Sequence, residues 1–145
     1  MQKNLVLSLL LVALCTITAT AQKISESKLP EAVKTAFAKK YTVSEKVSWE
    51  KEKGNYEANW GGKSGEDHAA LFAPDGTFIE IVDAIPVAGL PSTITQYVKS
   101  KYNNASIKEA GKLTDASGKK MYEIEVKGKD VIFDEAGNFL REETD

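Results

Sequence analysis

Leu29-Pro30-Glu31-Ala32-Val33-Lys34-Thr35-Ala36-Phe37-Ala38-Lys39-Lys40-Tyr41 decides the fold, because the chain writes this stretch twice. At an offset of 61 residues Leu90-Pro91 repeats Leu29-Pro30, Ile94 repeats Val33, and Lys101-Tyr102 repeats Lys40-Tyr41. Apolar residues recur at every fourth position in both copies: Leu29, Val33, Phe37 and Tyr41, then Leu90, Ile94, Val98 and Tyr102. That spacing lays a single apolar stripe along a helix. Pro30 and Pro91 suit a first helical turn, where a missing N–H costs little. Ser27 is the expected N-cap of the first helix, and Gly89 stands just ahead of the second.

Outward from these helices the echo continues. The same offset places Leu71-Phe72 on Ile132-Phe133, Gly76 on Gly137, and Phe78-Ile79 on Phe139-Leu140. Between those anchors Tyr56-Glu57 matches Tyr122-Glu123 at an offset of 66. The first hairpin is thus longer in the second copy and the next one shorter by the same amount, as loops of a duplicated unit would be. After each helix the period drops to two, with Tyr56, Ala58 and Trp60 alternating with polar residues, and Tyr122, Ile124 and Val126 doing the same. This is the pattern of antiparallel strands with one wet face. Turn signals such as Lys53-Gly54, Pro74-Asp75-Gly76 and Ala136-Gly137-Asn138 divide them. The predicted strands are 43–51, 55–61, 67–73 and 77–82, then 106–113, 120–127, 130–134 and 138–143, with 83–89 as linker. The fold class read from these residues is α+β, a tandem repeat of one helix plus four antiparallel strands over 22–85 and 86–145.

Ahead of the first copy, residues 1–21 have the form of a signal peptide. Lys3 supplies a basic start, Leu5–Thr18 an apolar run, and Ala19-Thr20-Ala21 small residues at the positions a signal peptidase accepts. The run is short for a membrane span, and no second one follows it. Cleavage after Ala21 predicts a periplasmic or secreted protein of 124 residues, the 145 of the chain less 21. Cys15, the one cysteine, would leave with the signal, so no disulfide or thiolate chemistry is expected.

Composition excludes more than it names. Nineteen basic and 21 acidic residues give a net charge of −2, with no basic footprint for nucleic acid. His68 is the sole imidazole, which rules out a zinc site of two or three histidines. Gly61-Gly62-Lys63-Ser64-Gly65 lacks the upstream glycine of a phosphate loop, and a strand rather than a helix is predicted after it. Asp75-Gly76 and Asp134–Gly137 lack the alternating ligands of a calcium loop, and aspartate in a turn bonds its own backbone. Glu123 and Glu125 share one strand face and read as its solvated side. No catalytic residue, metal or cofactor is therefore assigned.

Aromatic residues are the remaining lead. Trp49 and Trp60 correspond to Ala110 and Val126 in the second copy, so a faithfully duplicated core does not account for them. Either they fill a gap between the halves, or they form an exposed anchor for a partner. On the second reading the candidate binding residues are Trp49, Trp60, Lys63, Glu66 and Asp67.

The Leu-Pro helix starts, the Lys-Tyr helix ends, Trp49-Glu50, Tyr56-Glu57 and Phe72…Asp75-Gly76 together resemble the PepSY-like proteins, a family of β-lactamase-inhibitor-like (BLIP-like) exported proteins of Bacteroidetes. The likeness runs over about residues 25–145. It implies one continuous antiparallel sheet with helices on one face, and it brings no catalytic residues with it. The expected function is a non-catalytic binding module that contacts an envelope or secreted protein through its sheet face and hairpin loops. The alternative is a periplasmic small-ligand binder with a pocket between the two repeats.

Overall fold

The computed structural model describes residues 21–144, so the predicted signal peptide lies outside the described residues apart from Ala21. Nine strands form one sheet in chain order, every neighbouring pair antiparallel. They are β1 (Gln22–Ile24), β2 (Ser48–Glu52), β3 (Asn55–Trp60), β4 (His68–Phe72), β5 (Phe78–Ala84), β6 (Ile107–Asp115), β7 (Lys120–Val126), β8 (Lys129–Asp134) and β9 (Phe139–Thr144). Helix α1 (Glu31–Lys40) precedes β2, and α2 (Ser92–Lys101) precedes β6. The fold is α+β. Seven strands fall within two residues of where alternation and turn residues put them, and the eighth, read as 43–51, begins only at Ser48. β1 carries no periodicity in three residues, and it forms only by pairing Gln22, Lys23 and Ile24 with Lys51, Glu50 and Trp49 at the sheet edge.

Both helices begin directly after a proline, Pro30 and Pro91, with no side-chain cap. Ser27 is therefore not the N-cap. It lies in a short 3-10 turn, Glu26–Lys28, one residue ahead of Leu29. The linker read as 83–89 is shorter too, since Asp83 and Ala84 belong to β5 and Val87–Gly89 forms a second 3-10 turn.

Each helix lays its stripe on the sheet. Val33 of α1 is fully buried among Trp49, Tyr56, Ala58, Trp60, Ala70 and Phe72. Ile94 and Val98 of α2 are buried among Ala110, Ile124, Val126, Val131 and Phe133. Register puts both cores on one face. The row Trp49–Ala58–Ala70–Ile81 continues across the β5–β6 junction to Thr114, which shares its side of β6 with Ala110. Two glycines fit the sheet to its helices. Gly76 and Gly137 both hold φ +85, and an added Cβ would lie 2.6 Å from the Ala32 carbonyl oxygen and 2.0 Å from Thr93 Oγ1 respectively. Alanine at either position meets both a disfavoured backbone conformation and a collision with the helix. We expect a loss of about 1–3 kcal/mol in each case, read from the urea midpoint, whereas Gly118→Ala should lose less because a Cβ there meets nothing within 4 Å.

Candidate functional site

The opposite face of the sheet carries no helix. Its positions are those that alternate with the core: Glu50 and Glu52 on β2, Glu57 and Asn59 on β3, Leu71 on β4, Glu80 and Val82 on β5. Gly111, Glu123, Glu125, Asp130, Arg141 and Glu143 continue the series on β6 to β9. Together they line an open trough of about 1060 Å³ that reaches into both halves of the chain. Strand breaks in register at Leu71/Phe72, Ile107/Glu109 and Ile132/Phe133 bend the sheet. Part of the trough side is apolar: Leu113, Met121 and Ile132 are buried there, with Val82 packed against them.

Carboxylates dominate this surface. Glu123 is half-buried at its floor. Burial, then repulsion from Asp130, Glu80, Glu57 and Glu143, pushes the Glu123 carboxyl up to about 8. Residues of eight strands, β2 to β9, line this single recess, so the face is concave. Burial also raises Glu80, an effect that Arg141 opposes.

The five residues singled out from the sequence do not meet on one surface. Trp49 and Trp60 are only 5% and 8% exposed, and they lie on the helix side. They pack around Phe37 of α1, with ring centroids 5.1 and 5.4 Å away. The indoles are thus neither an exposed anchor nor a filler between halves. They pack between α1 and the sheet, where the second half has Val98, Ala110 and Val126 at the positions of Phe37, Trp49 and Trp60. The second half gathers its own rings differently, stacking Tyr97 on Phe139 at 5.1 Å and setting it edge-on to Phe133 at 5.3 Å. Lys63, Glu66 and Asp67 lie in the connection between β3 and β4, and Glu66 and Asp67 reach the rim of the trough. Gly61 and Gly62 tighten that connection against Asp67, and β4 follows it directly, so no helix terminus faces it.

His68 is on the helix side as well. It stacks on Trp60 with centroids 5.3 Å apart, and its Nδ1 is 2.7 Å from Asp83 Oδ1. No hydroxyl nucleophile is hydrogen-bonded to it among the described residues. The turn aspartates behave as turn chemistry requires. Asp75 accepts from the Thr77 N–H at 2.9 Å, Asp115 from the Ser117 N–H at 2.9 Å, and Asp134 from the Asn138 N–H at 2.8 Å. The Ser117 hydroxyl, at 2.6 Å from Asp115, and the Asn138 amide, at 2.9 Å from Asp134, donate as well and lead the effect there, and together these donors hold all three carboxyls below the usual range. Among the described residues no group of three or more His, Asp or Glu side chains is placed to hold a metal ion, and no helix is long and apolar enough to cross a membrane.

Glu123 is what the sequence reading missed. Its alternation with Ile124 marks it as outward-facing, which is correct, but the repulsion it meets comes from carboxylates on β3, β5, β8 and β9. Only the register, once known, lines up Glu57, Glu80, Glu123, Asp130 and Glu143 on one side.

Comparison with known proteins places this geometry. A family model described as "Putative beta-lactamase-inhibitor-like, PepSY-like" matches residues 16–61 and 62–141. Solved structures from Bacteroides share the fold. One, described as a "putative periplasmic" protein of Bacteroides eggerthii, is 18% identical with a TM-score of 0.62, over 79% of this chain and 88% of that one. A DUF2874 family protein of Bacteroides uniformis is 16% identical with a TM-score of 0.61, over 78% and 87%. A BLIP-like protein of Bacteroides fragilis is 22% identical with a TM-score of 0.55, over 79% and 85%. No curated protein matches the chain.

Proposed function

The chain belongs to the beta-lactamase-inhibitor-like, PepSY-like family, and from that membership we propose that it is an exported, non-catalytic binding protein that meets another protein through its bare sheet face. One observation carries this reading: both helices and their two cores occupy one side of the nine-stranded sheet, and the other side is a concave trough open to solvent. An antiparallel sheet can leave one face wet. A face this large and recessed also offers the area of a standard protein contact, about 800 Å² per partner. The description of the Bacteroides fragilis relative as BLIP-like is in keeping with it. Export is supported by the signal-like residues 1–21 and by the periplasmic description of the Bacteroides eggerthii relative.

The trough suits a small ligand less well. Small-molecule sites enclose most of their ligand, whereas this surface is spread over eight strands and open along its length. We also infer that the two halves descend from one duplicated unit. Support comes from the paired glycines at 76 and 137 and from the register breaks at Leu71/Phe72 and Ile132/Phe133, each pair 61 residues apart.

Position-specific photo-crosslinking in living cells tests the contact face. A crosslinker at Leu71, in the trough, should give a discrete adduct, and one at exposed Ala38 on α1 should give none. Adducts from position 38 with none from position 71 would place the contact on the helix side and end this reading.

A further inference from the structure

Charge is divided unevenly over this molecule. Eleven carboxylate side chains line the trough, against three cationic ones, Lys53, Lys108 and Arg141. The three cations are taken up on the face itself: Lys53 lies 3.3 Å from Glu52, Lys108 3.1 Å from Glu125 and Arg141 2.6 Å from Glu143. The chain as a whole carries only −2. An excess of eight acidic groups on one face therefore leaves an excess of six basic groups elsewhere, or five once Lys3 of the signal-like segment is set aside, with Lys34, Lys39, Lys40, Lys99 and Lys101 on the two helices. Scattered solvating charge would not separate in this way.

Two further features point to what sits opposite the carboxylates. The Glu123 carboxyl is half-buried on the trough floor, where Asp130, Glu80, Glu57 and Glu143 repel its charge, so a cation from outside the chain would relieve it. Apolar side chains, Leu71, Val82 and Ile79, lie between the acids. Lysine and arginine match that mixture, because their methylene stems pack on apolar surface while their heads reach carboxylates. A recessed surface of one sign also concentrates its field and draws in an oppositely charged partner.

Building on the sheet-face reading above, we infer that the trough is a docking surface for a cationic polypeptide segment, one that presents several lysine or arginine side chains to the sheet. The partner's segment supplies the counter-charge that the fold leaves out.

The test uses the 15N-labelled protein and deca-lysine as probe, with deca-glutamate, an uncharged Gly-Ser decapeptide and spermine for comparison. Deca-lysine should shift amide resonances on β3, β5, β7 and β8 and leave those of α1 and α2 in place. The triple variant Glu50→Gln, Glu80→Gln, Glu109→Gln should weaken binding tenfold or more. A control variant with the same net charge, Glu26→Gln, Glu31→Gln, Glu45→Gln, takes its changes from exposed positions away from the trough and should stay within twofold of the parent. Equal weakening in the two variants would show bulk charge alone and overturn the inference. So would spermine binding as tightly as deca-lysine, since a small polycation would then suffice. If the Gly-Ser or glutamate peptide shifted the trough resonances and deca-lysine did not, the cationic partner would fall while the sheet-face contact stood. Shifts confined to the helices would remove both.

Discussion

Replacing Phe133 with alanine should remove about 3–5 kcal/mol of stability, and two indoles in the other half of the molecule should register the loss. Phe133 is fully buried under α2, where Tyr97 meets it edge-on. Trp49 and Trp60 are under α1. The halves are joined by the β5–β6 pairing, five registered residue pairs from Glu80–Asp115 to Ala84–Gly111, with no break in the ladder. A half of about 60 residues buries only about 60% of its surface and is marginal alone. No disulfide is available to either half, because the one cysteine is Cys15. Unfolding of the second half should therefore take the first with it. In a urea titration of Phe133→Ala, tryptophan fluorescence and far-UV circular dichroism should move together to a lower midpoint. A fluorescence midpoint unchanged from the parent, with dichroism lost earlier, would mean that the halves unfold separately. Domains of this size have only about 5–15 kcal/mol in total, so the variant should stand near the limit of folding.

Glu123→Gln should have the opposite sign and a pH dependence that identifies its cause. The Glu123 carboxyl is held at about 8 in the folded protein and returns to about 4.5 when the chain unfolds. Between those values the folded state binds the extra proton, so stability falls as pH rises through this window and is fully present below it. A carboxyl with that displacement costs up to about 5 kcal/mol by pH 8.5. Glutamine keeps the shape and removes the ionisation. The variant should match the parent at pH 4.5 and exceed it by a few kcal/mol at pH 8.5, measured as a widening gap in urea midpoints. A gap that is the same at both pH values would mean that Glu123 is hydrated and free to ionise.

The helices and strands were legible in the sequence because each is written in a period the chain states plainly. The fourfold recurrence of Leu29, Val33, Phe37 and Tyr41 and the twofold recurrence of Tyr56, Ala58 and Trp60 each specify one element and its buried face. Turn chemistry was equally plain, and Asp75, Asp115 and Asp134 each bond a backbone N–H as aspartate in a turn does. What stayed hidden depends on register and curvature. β1 exists only by pairing with β2. Trp49 and Trp60 looked unexplained against Ala110 and Val126, since nothing in the repeat says that α1 presents Phe37 where α2 presents Val98. The acidic trough was the least legible feature. Each of its carboxylates, taken alone, is an ordinary outward-facing residue on a strand. Their effect on one another arises because register sets them on one face and that face is a single recess.

Carboxyl-carbon NMR titration of Glu123 tests this account most directly, first free and then with saturating deca-lysine. The midpoint is expected near 8 in the free protein, falling by at least one pH unit when the peptide's ammonium groups occupy the trough. Titration near 4.5, unmoved by the peptide, would contradict both the concave acidic face and the partner it is inferred to take.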